Sequence, residues 1–249
     1  MRRWASEPGM CDGVARGGGQ MSPGVLALVG GDEWTAGCEF DAELLSAAGS
    51  GRVVVLPTAA AFERPERRVL AAAEWFAQWG GEVEGLMVTS RADAQDDGAA
   101  AIVGNADFVY LSGGSPLHLR SVLKGSKVLA ALSAAWRRGM VVAGAGAGAL
   151  VLSDPMVDPR GGALTVGLGL VEGLAVVPLV GDLLDDPHGE KLHRSVLLAP
   201  PGVPVVGIPA RTAVLRDPDG SWRSAGQGEP LVFVDGRPAC AGLGALAGH

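Results

Sequence analysis

The sequence predicts an α/β fold with three layers: a doubly wound, mostly parallel sheet with helices on both faces, and extra short antiparallel strands near the C-terminus. Three observations carry this expectation. Short apolar runs at Val25–Val29, Arg52–Leu56, Phe108–Leu111 and Val141–Ala143 alternate with helix-length stretches at the spacing of βαβ units. Runs apolar at nearly every position suit strands buried on both faces, as in parallel sheets. Gly-rich turns follow several of these runs, and in such sheets ligands bind at the carboxyl ends of the strands.

Taken in order, Val25–Val29 is bounded by Pro23-Gly24 and Gly30-Gly31 and reads as the first strand. A short helix follows from Asp41 to Ala48, ending near Gly49. The second strand, Arg52 to Leu56, stops at Pro57. A helix is predicted from about Pro65 to Trp79, with Pro65 in its first turn and Gly80 just past its end. Its sheet-facing stripe is expected at Val69, Ala73, Phe76 and Trp79. Glu82 to Val88 is a third strand candidate, and Arg91 to Val103 a helix closed by Gly104-Asn105. Phe108–Leu111 runs into Ser112-Gly113-Gly114-Ser115-Pro116, which opens a helix over Leu117 to Leu123. A further helix covers about Ser126 to Arg138.

The second half changes character. Pro155 to Gly162 is a polar loop, and Leu164 to Val180 is apolar but broken by glycines, which suits short strands. Pro187 to Leu198 reads as a helix. Val203–Ile208, Ala213–Leu215, Trp222–Ser224 and Leu231–Val234 read as short strands, with Asp219-Gly220 and Asp235-Gly236 as hairpin turns. No internal repeat or linker interrupts residues 22–249, so they read as one domain. Residues 1–21 read as a disordered tail, and Met21 as an alternative start.

Composition narrows the function classes. The chain has 249 residues, 48% of them hydrophobic, enough for a substantial core. The net charge of −7, with no basic stripe, argues against nucleic-acid binding. No run is long and apolar enough to suggest a membrane span. Cys11, Cys38 and Cys240 are scattered, which fits a reducing cytoplasm and neither a disulfide framework nor a metal-ligand pair. Asp185, Asp186, His188, Glu190 and His193 match no strong metal signature and read as a solvated loop and helix start. No metal and no cofactor is expected.

The stretch that carries chemistry is Val141–Ser153, VVAGAGAGALVLS. A β-branched apolar pair enters a Gly/Ala turn, and an apolar run leaves it. This strand–turn–helix shape holds the nucleophile of many α/β hydrolases at its apex. Here the apex is Gly146, which has no side chain.

These segments, in this order, resemble peptidase family S51, the cyanophycinases and aspartyl dipeptidases, whose fold is related to class I glutamine amidotransferases. The resemblance covers roughly Val25 to Val234. It rests on LVGG at Leu28–Gly31, YLSGG at Tyr110–Gly114, the elbow with its trailing LVLSDPM, GLGLV at Gly167–Val171, and GIPARTAV at Gly207–Val214. It implies a serine at the position of Gly146, a histidine at Leu179 and an acidic residue at Ala210, so all three catalytic slots read as empty. An insertion before His188 would instead bring that histidine into the site. Gly114 and Ala147 resemble the family's oxyanion-hole positions, which act through main-chain N–H groups; a plainer reading is that these small residues only permit tight turns.

Ser115 with His118 three residues on is a candidate substitute nucleophile and base, although Ser115 before Pro116 has the form of a helix N-cap. Two functions remain open from sequence. One is a non-hydrolytic binding or regulatory protein that takes a small acidic peptide or carboxylate in the old cleft. The other is an active serine-type or water-using peptidase of aspartyl or cyanophycin-like peptides, working through substitutes such as His188 or Ser115. A weaker third is a structural partner subunit, and a homodimer is compatible with either of the first two.

Overall fold

The computed structural model describes residues 22–178 and 189–249. Its centre is a sheet of five parallel strands: β1 (Leu26–Val29), β2 (Arg52–Leu56), β3 (Glu82–Gly85), β4 (Phe108–Leu111) and β5 (Val141–Ala145). They lie in the order β1-β5-β4-β2-β3. Beyond β1 the strand Thr212–Arg216 pairs antiparallel, and Trp222–Gly226 pairs antiparallel to that in turn. The chain therefore runs from β1 out to β2 and β3, then returns through β4 to β5.

Helices cover both faces, and the alternation along the strands says which residues they meet. Side chains on successive strand residues point to opposite faces. Val25, Ala27 and Val29 pack in one cluster with Phe40, Leu44, Ala72 and Phe76, from helices α1 (Phe40–Ala48) and α2 (Pro65–Ala77). Leu26 and Leu28 pack in the other, with helices α3 (Asp97–Gly104), α4 (Pro116–Leu123), α5 (Lys127–Arg137) and α6 (Ala147–Leu152).

The hairpin signals are also realised. Asp219-Gly220 joins Thr212–Arg216 to Trp222–Gly226, and Asp235-Gly236 joins Leu231–Val234 to Arg237–Pro238. Asp235 and Gly236 both take positive φ (51° and 77°), as a type I′ turn requires.

Four features differ from the sequence expectation. Strand β3 ends at Gly85, short of Val88. The Arg91–Val103 helix is split into a 3-10 turn at Asp93–Gln95 and α3. The Asp93 carboxylate accepts the N–H groups of Thr89 and Ser90 (3.0 and 2.8 Å), and Asp96 caps Ala99 N–H (2.7 Å). These local bonds compete with a continuous helix. The buried stripe of α2 is Pro65, Ala72, Trp75 and Phe76, while Val69, Ala73 and Trp79 are only partly buried. Trp75 faces inward, where its Nε1 donates to the buried Asp41 Oδ2 of α1 (2.9 Å). Finally, the C-terminal half builds a second sheet, Ala175–Pro178, Val205–Ile208, Leu231–Val234 and Arg237–Pro238 in that order. Helix α7 (Gly189–Leu198) packs on it through Leu192 and Val196.

Asp41 is fully buried, and its Oδ1 has no partner among the described residues. Burial pushes its carboxyl well above the usual carboxylate range, partly offset by the Trp75 bond and reinforced by nearby Glu33. The folded state thus holds a proton that the unfolded state releases near the ordinary carboxylate pKa. Stability supplied by that proton is complete at low pH and is lost as pH rises toward the folded value. Asp41→Asn should therefore gain stability relative to wild type as pH rises from about 4 to about 8. Asp41→Leu should cost about 1–3 kcal/mol by leaving Trp75 Nε1 unpaired. Urea denaturation across that pH range checks both, and a pH-independent difference between wild type and Asp41→Asn would contradict the account.

Candidate functional site

Strands β1, β4 and β5 stop at one height, and their loops meet there. Val29 is in register with Ala145, and Leu111 with Gly144. The loops beginning at Gly30, Ser112 and Gly146 consequently converge on one open cleft of about 490 Å3. It is lined by Gly113, Gly146 and Ala147, by Asp32, Glu33 and Arg68, and by Pro159, Pro178 and Lys191. The second sheet and α7 thereby close a wall that the sequence did not foretell.

Gly146 is the elbow's apex and the N-terminal flank of α6, with φ 50° and ψ −105°. Only glycine adopts this region without strain. A Cβ placed on it would meet Gly113 Cα at 3.8 Å, an ordinary contact, and nothing else within 4 Å outside its chain neighbours. The apex thus has room for a side chain and carries none. Gly114 is held at φ 140°, where a Cβ would lie 2.4 Å from the Ala59 carbonyl oxygen. Among the described residues, no acceptor meets the N–H of Gly114 or of Ala147.

Ser115 and His118 fall elsewhere. The Ser115 hydroxyl accepts the His118 backbone N–H (3.4 Å) as the N-cap of α4. The His118 ring hydrogen-bonds through Nε2 with the Thr89 carbonyl (2.9 Å) and packs edge-on to Phe62. Neither residue lines the cleft. Ala210 lies in the turn before Thr212, its carbonyl accepting from the Thr212 hydroxyl (3.1 Å). That turn abuts the end of β1, where Arg211 N–H donates to the Gly31 carbonyl (2.9 Å). Leu179 and His188 lie outside the described residues, as do Asp185 and Asp186. Glu190 and His193 are exposed on α7, and no three His, Cys, Asp or Glu among the described residues are grouped to hold a metal.

Sequence reasoning missed Glu33, Arg68 and Lys191. The Glu33 side chain is 5% exposed, and its Oε1 accepts the Gly113 N–H at 2.8 Å, across a separation of 80 residues. Arg68 Nη1 stands 3.7 Å from the same oxygen and is 39% exposed. The signal was present: an acidic pair, Asp32-Glu33, directly after the glycines that end a buried strand. The loop carrying it is held at positive φ at Asp32 (52°) and Trp34 (61°), the backbone strain typical of functional loops. On α7, burial lowers the Lys191 ammonium pKa, with Asp158 opposing.

The cleft therefore offers backbone donors, one nearly buried carboxylate and two cations, without a nucleophile at its apex. Among the described lining residues the only side-chain hydroxyl is that of Thr35, which donates to the Asp32 carbonyl (2.6 Å). Among the described residues no helix is long and apolar enough to cross a membrane.

Comparison with known proteins identifies the lineage. The cyanophycinase of Synechococcus elongatus is 31% identical over 165 residues, covering 63% of this chain and 50% of the relative. That of Trichormus variabilis is 25% identical over 218 residues, covering 85% and 73%. The chain spans about half the length of the first of these relatives. Among solved structures, a peptidase from an acI-B1 Actinobacterium superposes with a TM-score of 0.77 at 24% identity, covering 88% of this chain and 94% of its own. A putative peptidase E protein from Listeria monocytogenes EGD-e superposes with a TM-score of 0.58 at 18% identity, covering 86% and 99%. These two likenesses show the shared fold. The model of peptidase family S51 matches residues 28–219, and the chain belongs to that family.

Proposed function

We propose that this chain is a non-hydrolytic S51-family protein that binds small acidic peptides or other carboxylate-bearing ligands in the elbow cleft. The observation that carries the reading is Gly146: elbow backbone, open space at the apex, and no nucleophilic side chain. Covalent acyl transfer needs a hydroxyl or thiol there, activated by a base. Without one no acyl-enzyme forms, whichever residue faces the apex as base. The N–H groups of Gly114 and Ala147 support the binding half of the reading. Such groups stabilise an oxyanion in an active enzyme, and they suit a carboxylate oxygen or a peptide carbonyl equally well.

Wild-type protein should leave α- and β-aspartyl dipeptides and cyanophycin-like peptides intact, while at least one of them raises its melting temperature. Turnover by wild type, read by released amine, would sink the proposal and redirect attention to His188 and Ser115.

Two substitutions separate the roles of the glycines. Gly146→Ser should fold, at a cost of about 1–3 kcal/mol in backbone strain, because the apex has room. Gly114→Ala should lose more stability and also lose ligand-induced stabilisation, because its methyl group drives against the Ala59 carbonyl and displaces a donor. Equal stability of Gly114→Ala and wild type in urea would show that this turn is not constrained as described.

A further inference from the structure

The Glu33 carboxylate is the least expected group in the cleft. One oxygen, Oε1, is committed to the Gly113 N–H and faces Arg68. The other, Oε2, receives no hydrogen bond among the described residues. It is not sealed from solvent, and Glu33 is one of the residues that line the cleft. The side chain is only 5% exposed, so Oε2 is held in place with an acceptor that no protein group uses among the described residues. Arg68 relieves this little, since it is itself 39% exposed and stands at 3.7 Å from Oε1.

Beside that acceptor lie donors. Gly113 Cα is the atom nearest the empty apex at Gly146, and the N–H groups of Gly114 and Ala147 flank it without acceptors among the described residues. A complementary ligand must present an acceptor oxygen and a donor N–H side by side. A bare dicarboxylate meets the donors but sets a like charge against Glu33. An α-amino acid or peptide with a free ammonium meets both.

We propose that Glu33 is a specificity residue: its Oε2 takes an ammonium or N–H donor of the ligand, so the cleft selects amine-bearing peptides over simple carboxylates. This rests on the cleft being a ligand site, as proposed above, and it assigns the ligand a second required group. A charge-assisted hydrogen bond in a half-enclosed site corresponds to about tenfold or more in affinity.

The test is calorimetric titration of the full chain with aspartyl-leucine, its N-acetyl form, and succinate, on wild type and Glu33→Gln. Glutamine keeps an oxygen for the Gly113 N–H but loses the charge. Wild type should bind the free-amine dipeptide about tenfold or more tighter than the N-acetyl form and succinate, and Glu33→Gln should lose that preference. Equal wild-type affinity for the free and acetylated dipeptides would overturn the assignment, even if Glu33→Gln does not fold. A folded Glu33→Gln that still discriminates would overturn it too. Binding of none of the three to wild type would instead strike at the ligand-site reading, and the role of Glu33 would fall with it.

Discussion

The structure depends on where β5 stops. This strand is hydrogen-bonded to β1 on one side and β4 on the other, and it is buried along its whole length. Parallel strands held in that register end together, so three loops distant in sequence must share one small space above them. The space is crowded enough that the loops are built largely of glycine. It is polar enough that their N–H groups need partners from outside the sheet. The cleft is thus a consequence of sheet topology, and the identity of the apex side chain decides what the cleft does.

Its electrostatics follow from how deep each acid lies. Behind the Asp32–Thr35 loop sit Cys38, Asp41 and Tyr110, all fully buried. Burial disfavours the charged form of each: the Cys38 thiol is pushed up to about 11, and the Asp41 carboxyl and Tyr110 hydroxyl well above their ordinary values. The Trp34 ring leans on Tyr110 at 5.1 Å between centroids. Asp32 and Glu33 are the acidic residues that line the cleft, and Arg68 and Lys191 are the basic ones. A site lined by groups of both signs favours ligands carrying both.

What was legible in the sequence was whatever local pattern decides. Apolar runs bounded by glycine became the parallel strands, Ser115-Pro116 became an N-cap and first turn, and Asp235-Gly236 became a hairpin. The elbow was legible because strand, turn and helix are contiguous. What escaped was set by partners far along the chain. Trp75 of α2 is buried against Asp41 of α1, a pairing no periodicity contains. The Glu33 contact joins residues 80 apart, so its meaning appears only when β1 and β4 are brought to one edge. The wall at Lys191 belongs to a helix held by a second sheet, and nothing in the pattern of short C-terminal strands says which sheet each will join.

A nucleophile elbow has two separable outputs. Its backbone aims the apex side chain outward, and it leaves the next residue's N–H without an acceptor. A serine at φ near 50° carries strain that is useful only if the hydroxyl is used. Glycine at the same position removes that strain and leaves the N–H of Ala147 where it was. On the reading proposed above, replacing the apex alone would convert a reaction centre into a receptor for the same kind of oxygen at little structural cost. Most other positions of the cleft offer no such route: a side chain at Gly114 would strike the Ala59 carbonyl, and one at Gly113 would press on Glu33 at 3.0 Å. On physical grounds the apex is the point at which this fold can give up catalysis while keeping recognition.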